Sequence, residues 1–179
     1  HDGIVLASVS TDNVVGTDGD GVDDVGEGNV IAGNGAHGIY VTHSSNTVVA
    51  GNRIGVALDG SPLGNTHHGV WLRGASHDVR IGTNADGVSV DFERNVISAN
   101  GLSGIGISDV SEACRGTIIA GNYIGTDVTG TLAMGNAEYG IGMVDALNTL
   151  VGGTTPECRN LISANGITGV RNEGAASTG

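Results

Sequence analysis

The sequence predicts an all-β protein, a right-handed parallel β-helix with three short strands per coil and about five coils. Three observations predict it. The first is a phrase written three times: "NVIAGNGAHGIYV" from Asn29, "NVISANGLSGIGI" from Asn95 and "NLISANGITGV" from Asn160. The second is a period. Gly3, Gly38, Gly69, Gly104, Gly140 and Gly169 each precede a short apolar triplet, at spacings of 35, 31, 35, 36 and 29 residues. The third is composition. Glycine supplies 33 of 179 residues and aromatics only 3%, yet Val, Ile and Leu recur at regular positions, as a packed core requires.

The strands follow in order. Strand one of each coil is the triplet after its glycine: IVL, IYV, VWL, IGI and IGM, with VRN opening a sixth coil. Strand two is "NVVG" at 13, "TVVAG" at 47, "VRIG" at 79, "TIIAG" at 117 and "TLVGG" at 149. Strand three is "NVIAG" at 29, "NRIG" at 52, "NVIS" at 95, "NYIG" at 122 and "NLIS" at 160. Turns of Gly, Asn, Asp, Ser and Thr separate them. Each strand stacks on its equivalent one coil later, about 4.8 Å away, so five coils make a column about 25 Å long.

The loops alternate. In odd coils a long loop joins strands two and three: "GTDGDGVDDVGEG", "GTNADGVSVDFER" and "GGTTPECR". In even coils it follows strand three: "GVALDGSPLGNTH" and "GTDVTGTLAMGNAE". The true repeat is therefore a pair of coils. The thrice-written phrase belongs to odd coils, where strand three runs straight into the next strand one.

Stacking turns the repeat into columns. Ile31, Ile54, Ile97, Ile124 and Ile162 form one inward column. Ile4, Ile39, Val70, Ile105 and Ile141 form another, with Leu6, Val41, Leu72, Ile107 and Met143 two residues on, as period-two strands require. Two polar columns run beside them. Asn29, Asn52, Asn95, Asn122 and Asn160 precede strand three; Asn34, Asn65, Asn100, Asn136 and Asn165 precede the strand-one glycines. An amide can donate to one neighbour and accept from the other, so a stack of them satisfies itself. These asparagines read as structural.

"NVISANG", "NYIGTDVTGTLAMGN" and "LVGGTTPECRNLISANG" resemble the right-handed parallel β-helix repeats of large secreted or surface-attached bacterial proteins, which are related in fold to the pectate lyases. The resemblance covers nearly the whole chain. It implies a fold shared by lyases, hydrolases, epimerases, adhesins and spacers, and so does not choose among activities. It also implies a substrate groove on an outer face. The lyases of that group use an arginine base beside calcium-binding carboxylates. Here Arg53, Arg73 and Arg80 point outward from strands while the acids sit in loops.

Charge narrows the partners. Seven arginines, no lysine and nineteen acids give −12, which argues against nucleic acid. No apolar run is long enough to insert in a membrane. The chain opens at His1, so residues 1–179 read as a single β-helix domain that is a fragment of, or a unit in, a longer assembly. Cys114 and Cys158 sit in polar stretches, "SEACRG" and "PECRN", at opposite ends of the strand-two sheet. A four-residue strand spans about 13 Å, too far for a bridge, so two separate thiols are expected.

Five constellations suggest chemistry. Asp18, Asp20, Asp23, Asp24 and Glu27 crowd the glycine-rich "TDGDGVDDVGE". Such oxygens suit calcium, although the EF-hand spacing fails; a solvated acidic turn is the other reading. Asn84, Asp86, Asp91 and Glu93 offer the same set two coils on. Tyr40 and Trp71 share an outward column, with Arg73, His37 and His68 around them, an arrangement that can hold a sugar ring; packing beneath a long loop is the alternative. His37 and His68 also form a column with the spacing of a transition-metal pair. Asp109 and Asp145 each lie five residues past a strand-one glycine and stack one coil apart, near the separation of a retaining glycosidase pair. Every β-helix column has that spacing, so it says little.

The expected function is a non-catalytic extracellular or cell-surface stalk or module of bacterial type that binds calcium and polysaccharide. Its open coil ends invite end-to-end self-association. The alternative is a polysaccharide lyase or glycoside hydrolase acting on the outer face of strand one.

Overall fold

In a computed structural model, residues 1–108 and 114–174 are described. They form an all-β parallel solenoid. The first coil holds β1 (Ile4–Leu6), β2 (Val14–Gly16) and β3 (Val30–Ile31). The second holds β4 (Ile39–Thr42), β5 (Val48–Ala50) and β6 (Arg53–Ile54). The third holds β7 (Val70–Arg73), β8 (Arg80–Gly82) and β9 (Val96–Ile97), and the fourth β10 (Ile105–Ser108), β11 (Ile118–Ala120) and β12 (Tyr123–Ile124). The fifth holds β13 (Tyr139–Val144), β14 (Leu150–Val151) and β15 (Leu161–Ile162), and β16 (Thr168–Glu173) opens a sixth. Among the described residues, helix is confined to one turn at Asp24–Glu27 and a 3-10 turn at Pro156–Cys158.

The strands stack into three parallel sheets. Sheet one runs β1-β4-β7-β10-β13-β16, sheet two β2-β5-β8-β11-β14 and sheet three β3-β6-β9-β12-β15. The registers match the expected columns. Ile31 pairs with Ile54, Ile54 with Ile97, Ile97 with Ile124 and Ile124 with Ile162. In sheet one, Ile4, Ile39, Val70, Ile105 and Ile141 are consecutive partners. Ile39, Ile54, Ile81, Ile97, Ile105 and Ile119 have no solvent exposure. Each fully buried side chain of this size contributes about 1.5–3 kcal/mol.

Both asparagine ladders are continuous. Asn29 donates its backbone N–H and its amide to Asn52 Oδ1, at 3.1 and 3.0 Å. Asn52 does the same to Asn95, Asn95 to Asn122 and Asn122 to Asn160. The second ladder repeats the pattern through Asn34, Asn65, Asn100, Asn136 and Asn165. Each accepting oxygen thus uses both lone pairs. From the second rung of each ladder onward the amide nitrogen also reaches a main-chain carbonyl; that of Asn95 lies 2.8 Å from Val49 O. The ladders seal corners where strand-to-strand bonding is interrupted.

The corner after strand two needs glycine for a different reason. Gly82 has φ +97°, and a Cβ there would lie 1.9 Å from Ala120 O. The even-coil loops fold as small hairpins, with antiparallel bridges Val56 to Pro62 and Thr126 to Ala133. Asp127 staples the second hairpin by accepting the N–H groups of Thr131 and Leu132, both at 2.9 Å. These bonds, that from Leu132 foremost and the Thr129 hydroxyl next, pull its pKa down to about 2.

One expectation is corrected. Cys114 is not in a polar loop but buried in the wall. Isolated bridges align Thr11, Ser45, His77, Arg115 and Leu147, so Cys114 continues the column of Ser10, Ser44 and Ser76, one residue earlier. A small, weakly polar side chain fits that inward slot. No disulfide joins it to Cys158.

Candidate functional site

The outer face of sheet one is set by alternation. In register along the column stand Val5, Tyr40, Trp71, Gly106, Gly142 and Arg171. The residue before each strand-one glycine forms a parallel column on the preceding turn: Asp2, His37, His68, Ser103, Tyr139 and Thr168.

The turn column has its own ladder. His37 N–H donates to Asp2 Oδ1 at 3.0 Å, His68 N–H to His37 Nδ1 at 3.3 Å and Ser103 N–H to His68 Nδ1 at 3.2 Å. A ring nitrogen that accepts cannot carry the proton, which assigns both imidazoles the Nε2–H tautomer. The rings lie parallel, 5.4 Å between centres and 1° apart in plane. His68 also stacks on Trp71, at 4.4 Å and 6°. Burial, followed by the neighbouring His37, pushes His68 down to about 4. His37 is lowered as well, chiefly by burial and against the pull of Asp2. Both are neutral at pH 7.

Trp71 leans over Gly106. A Cβ on Gly106 would meet the indole Cε3 at 2.5 Å. One coil on, a Cβ on Gly142 would meet Tyr139 Cδ2 at 3.0 Å. The Arg171 guanidinium lies 4.9 Å from the Tyr139 ring centre and donates to its hydroxyl at 2.5 Å. Its other nitrogen is bound to Glu173. Between the two aromatic rings lies a cleft of about 170 Å³, with Gly106 and Gly142 as floor and His68, Trp71, Ser103, Glu138, Tyr139 and Arg171 around it.

The expected glycan residues divide. His37, Tyr40, His68 and Trp71 come together, with His37 and Tyr40 ring centres 5.7 Å apart, but of the four only His68 and Trp71 line the cleft. Arg73 is exposed beyond Trp71, opposite Thr42, and does not line the cleft. Sequence reasoning missed Gly106, Glu138, Tyr139, Gly142 and Arg171. A signal was present: the outward position of the triplet reads Tyr, Trp, Gly, Gly, and the two glycines mark an emptied stretch of column.

The acidic turn partly assembles. Carboxylate oxygens of Asp18, Asp20 and Asp24 lie within 4.8 Å of one another. Asp23 takes a left-handed conformation, φ 60°, ahead of the single helical turn, and Glu27 ends that turn; neither joins the group. Asp24 accepts the hydroxyls of Ser89 and Thr17, each at 2.5 Å. These bonds, Ser89 first, hold its carboxyl below the usual range. Ser89 belongs to the long loop two coils away, so the bond clasps the loops together.

The second acidic loop behaves differently. Glu93 has no solvent exposure. It accepts Arg80 Nη1 at 2.7 Å, the Thr83 hydroxyl at 2.6 Å and Asn84 N–H at 3.2 Å. A strand-borne arginine therefore does meet a loop carboxylate, contrary to the expectation from sequence, because the loop folds back over sheet two. This is a satisfied internal pair. Asp145 sits half-buried at a left-handed turn, φ 53°. Asp109 lies outside the described residues.

Set against known proteins, the chain matches no family model, no curated protein and no solved structure significantly. The fold and the cleft alone carry the functional argument.

Proposed function

We propose that this chain is a non-catalytic extracellular or cell-surface β-helix module, of the kind found in secreted bacterial repeat proteins with the pectate-lyase-like fold, and that the outer face of its sheet one binds polysaccharide. One observation carries the reading: the only tryptophan of the chain, Trp71, stands half-buried on that face and walls a cleft that also offers hydroxyl and carboxylate groups. Aromatic walls with a few polar groups suit the alternately apolar and hydroxylated surfaces of a sugar ring.

The non-catalytic part rests on the polar groups. Among the described residues Glu138 is the single carboxylate lining the cleft, and glycoside hydrolysis ordinarily uses two. The reading extends to calcium at the turn of Asp18, Asp20 and Asp24, and to self-association through the exposed edges of the end coils.

The test is retention of the protein in affinity electrophoresis through gels containing plant, fungal and bacterial polysaccharides. Retention by at least one polymer is expected, lost in Trp71→Ala, with no new reducing ends and no unsaturated products. Product formation would favour the lyase or hydrolase reading instead. An unretarded wild-type protein on every polymer would remove polysaccharide binding.

A further inference from the structure

We infer that the cleft between Trp71 and Tyr139 is a subsite for one neutral pyranose ring and that it discriminates against uronic acids. The inference rests on the polysaccharide reading above and narrows it to a place and a ligand chemistry.

Place comes from the column. Trp71 and Arg171 are three strands apart in register, about 14 Å by strand spacing. The two positions between them carry no side chain. Neither glycine is required by its backbone, since neither Gly106 nor Gly142 has a positive φ. What their missing Cβ atoms provide is space: the indole lies down over the first, the phenol over the second, and a slot remains between. Towards β1 the same column is filled by Tyr40 and Val5. At about 170 Å³ the slot is smaller than the roughly 300–1,000 Å³ of drug-sized sites. It suits a single ring.

Chemistry comes from the charges. The Arg171 guanidinium is committed to Glu173 and to the Tyr139 hydroxyl, so it offers little net positive charge to an incoming carboxylate. Glu138 lines the slot, and no ion pair of its carboxylate is found among the described residues. A carboxylate accepts hydrogen bonds from sugar hydroxyls and repels another carboxylate. The chain's charge of −12 acts in the same direction. His68, held neutral at pH 7 beneath the indole, adds no countercharge. The ring would lay its C–H face on the indole, with its hydroxyls toward Glu138 and the Ser103 side.

Trp71 is the only tryptophan, so intrinsic fluorescence reads this slot alone. Neutral hexose oligomers of β-linked glucose or mannose should change the emission saturably. Oligogalacturonates of equal length should bind at least about tenfold more weakly. Gly142→Val, whose side chain would push the Tyr139 ring off the floor and fill the slot, should abolish the change, with circular dichroism showing that the coils are kept. Glu138→Gln, which keeps shape and fold, should weaken neutral oligomers several-fold and narrow the discrimination. Equal or tighter binding of uronates, or full binding by a folded Gly142→Val protein, would overturn the inference. Retention in polysaccharide gels without any fluorescence response would overturn the subsite and leave polysaccharide binding standing. Absence of both would overturn both.

Discussion

At the scale of single residues, the ladders show how a repeat converts asparagine from a liability into a fastener. Asn95 Oδ1 takes two hydrogen bonds from Asn52, and its amide nitrogen gives to Asn122 and to Val49 O. Asn95→Leu would keep the branched shape in a somewhat larger side chain and strand the Asn52 donors. We expect a loss of about 1–3 kcal/mol in urea unfolding; an unchanged midpoint and slope would contradict the ladder's role. His68 makes a second prediction. Its folded pKa is near 4, against an ordinary value of about 6.5 in the unfolded chain. Between those values the unfolded chain binds the extra proton, so stability is full above about pH 6.5 and falls as pH drops toward 4. His68→Asn keeps an acceptor for Ser103 N–H without titrating. Melting temperatures from pH 7.5 to 4 should fall less steeply in that variant; identical slopes would refute the assignment. His37, also lowered, keeps part of the slope in both proteins.

At the scale of elements, the long loops of odd coils do more than cover the wall. The first is clasped to the second by the hydroxyl of Ser89 on Asp24, and the second is pinned beneath by Glu93 on Arg80. Calcium at the first loop would have to share Asp24 with these hydroxyls and draw chiefly on Asp18 and Asp20, which are exposed. If it binds there, millimolar calcium raises the melting temperature, and Asp20→Asn with Asp24→Asn abolishes the gain. Identical melts in calcium and in chelator would dispose of that part of the proposal. The even-coil hairpins carry no such cluster among the described residues. They expose Leu58 and Leu132 and are held from within, the second by Asp127.

At the scale of the whole molecule, stability is spread along a column in which each coil touches its neighbours. Sheet one has six strands and the other two have five, so the end at β14, β15 and β16 is stepped rather than flat. A second copy seating its β2 and β3 on β14 and β15 would bring its β1 to the level that β16 occupies. End-to-end association therefore requires one of those two strands to give way. The charge of −12 opposes it further at low ionic strength. We expect light scattering to show larger species only as salt or calcium rises. A monomer under every condition would end the self-association proposal.

The sequence by itself determined the solenoid, the three sheets, the inward isoleucine column and both asparagine ladders. The reason is physical: in a β-helix, residues one period apart become neighbours at one strand spacing, so a repeat in the chain is a contact map. It also drew attention to Tyr40, Trp71, His37 and His68, because a column makes them adjacent. What repeats poorly was decided only in three dimensions. The Asp24–Ser89 clasp joins unlike residues of two loops a coil pair apart, and Glu93 reaches Arg80 through a fold-back that no periodicity encodes. Cys114 turned inward because its turn follows the serine column, a register invisible in "SEACRG". The cleft depends on two rings lying down over two glycines, and the direction in which a side chain leans is settled by packing against its neighbours rather than by its place in the period.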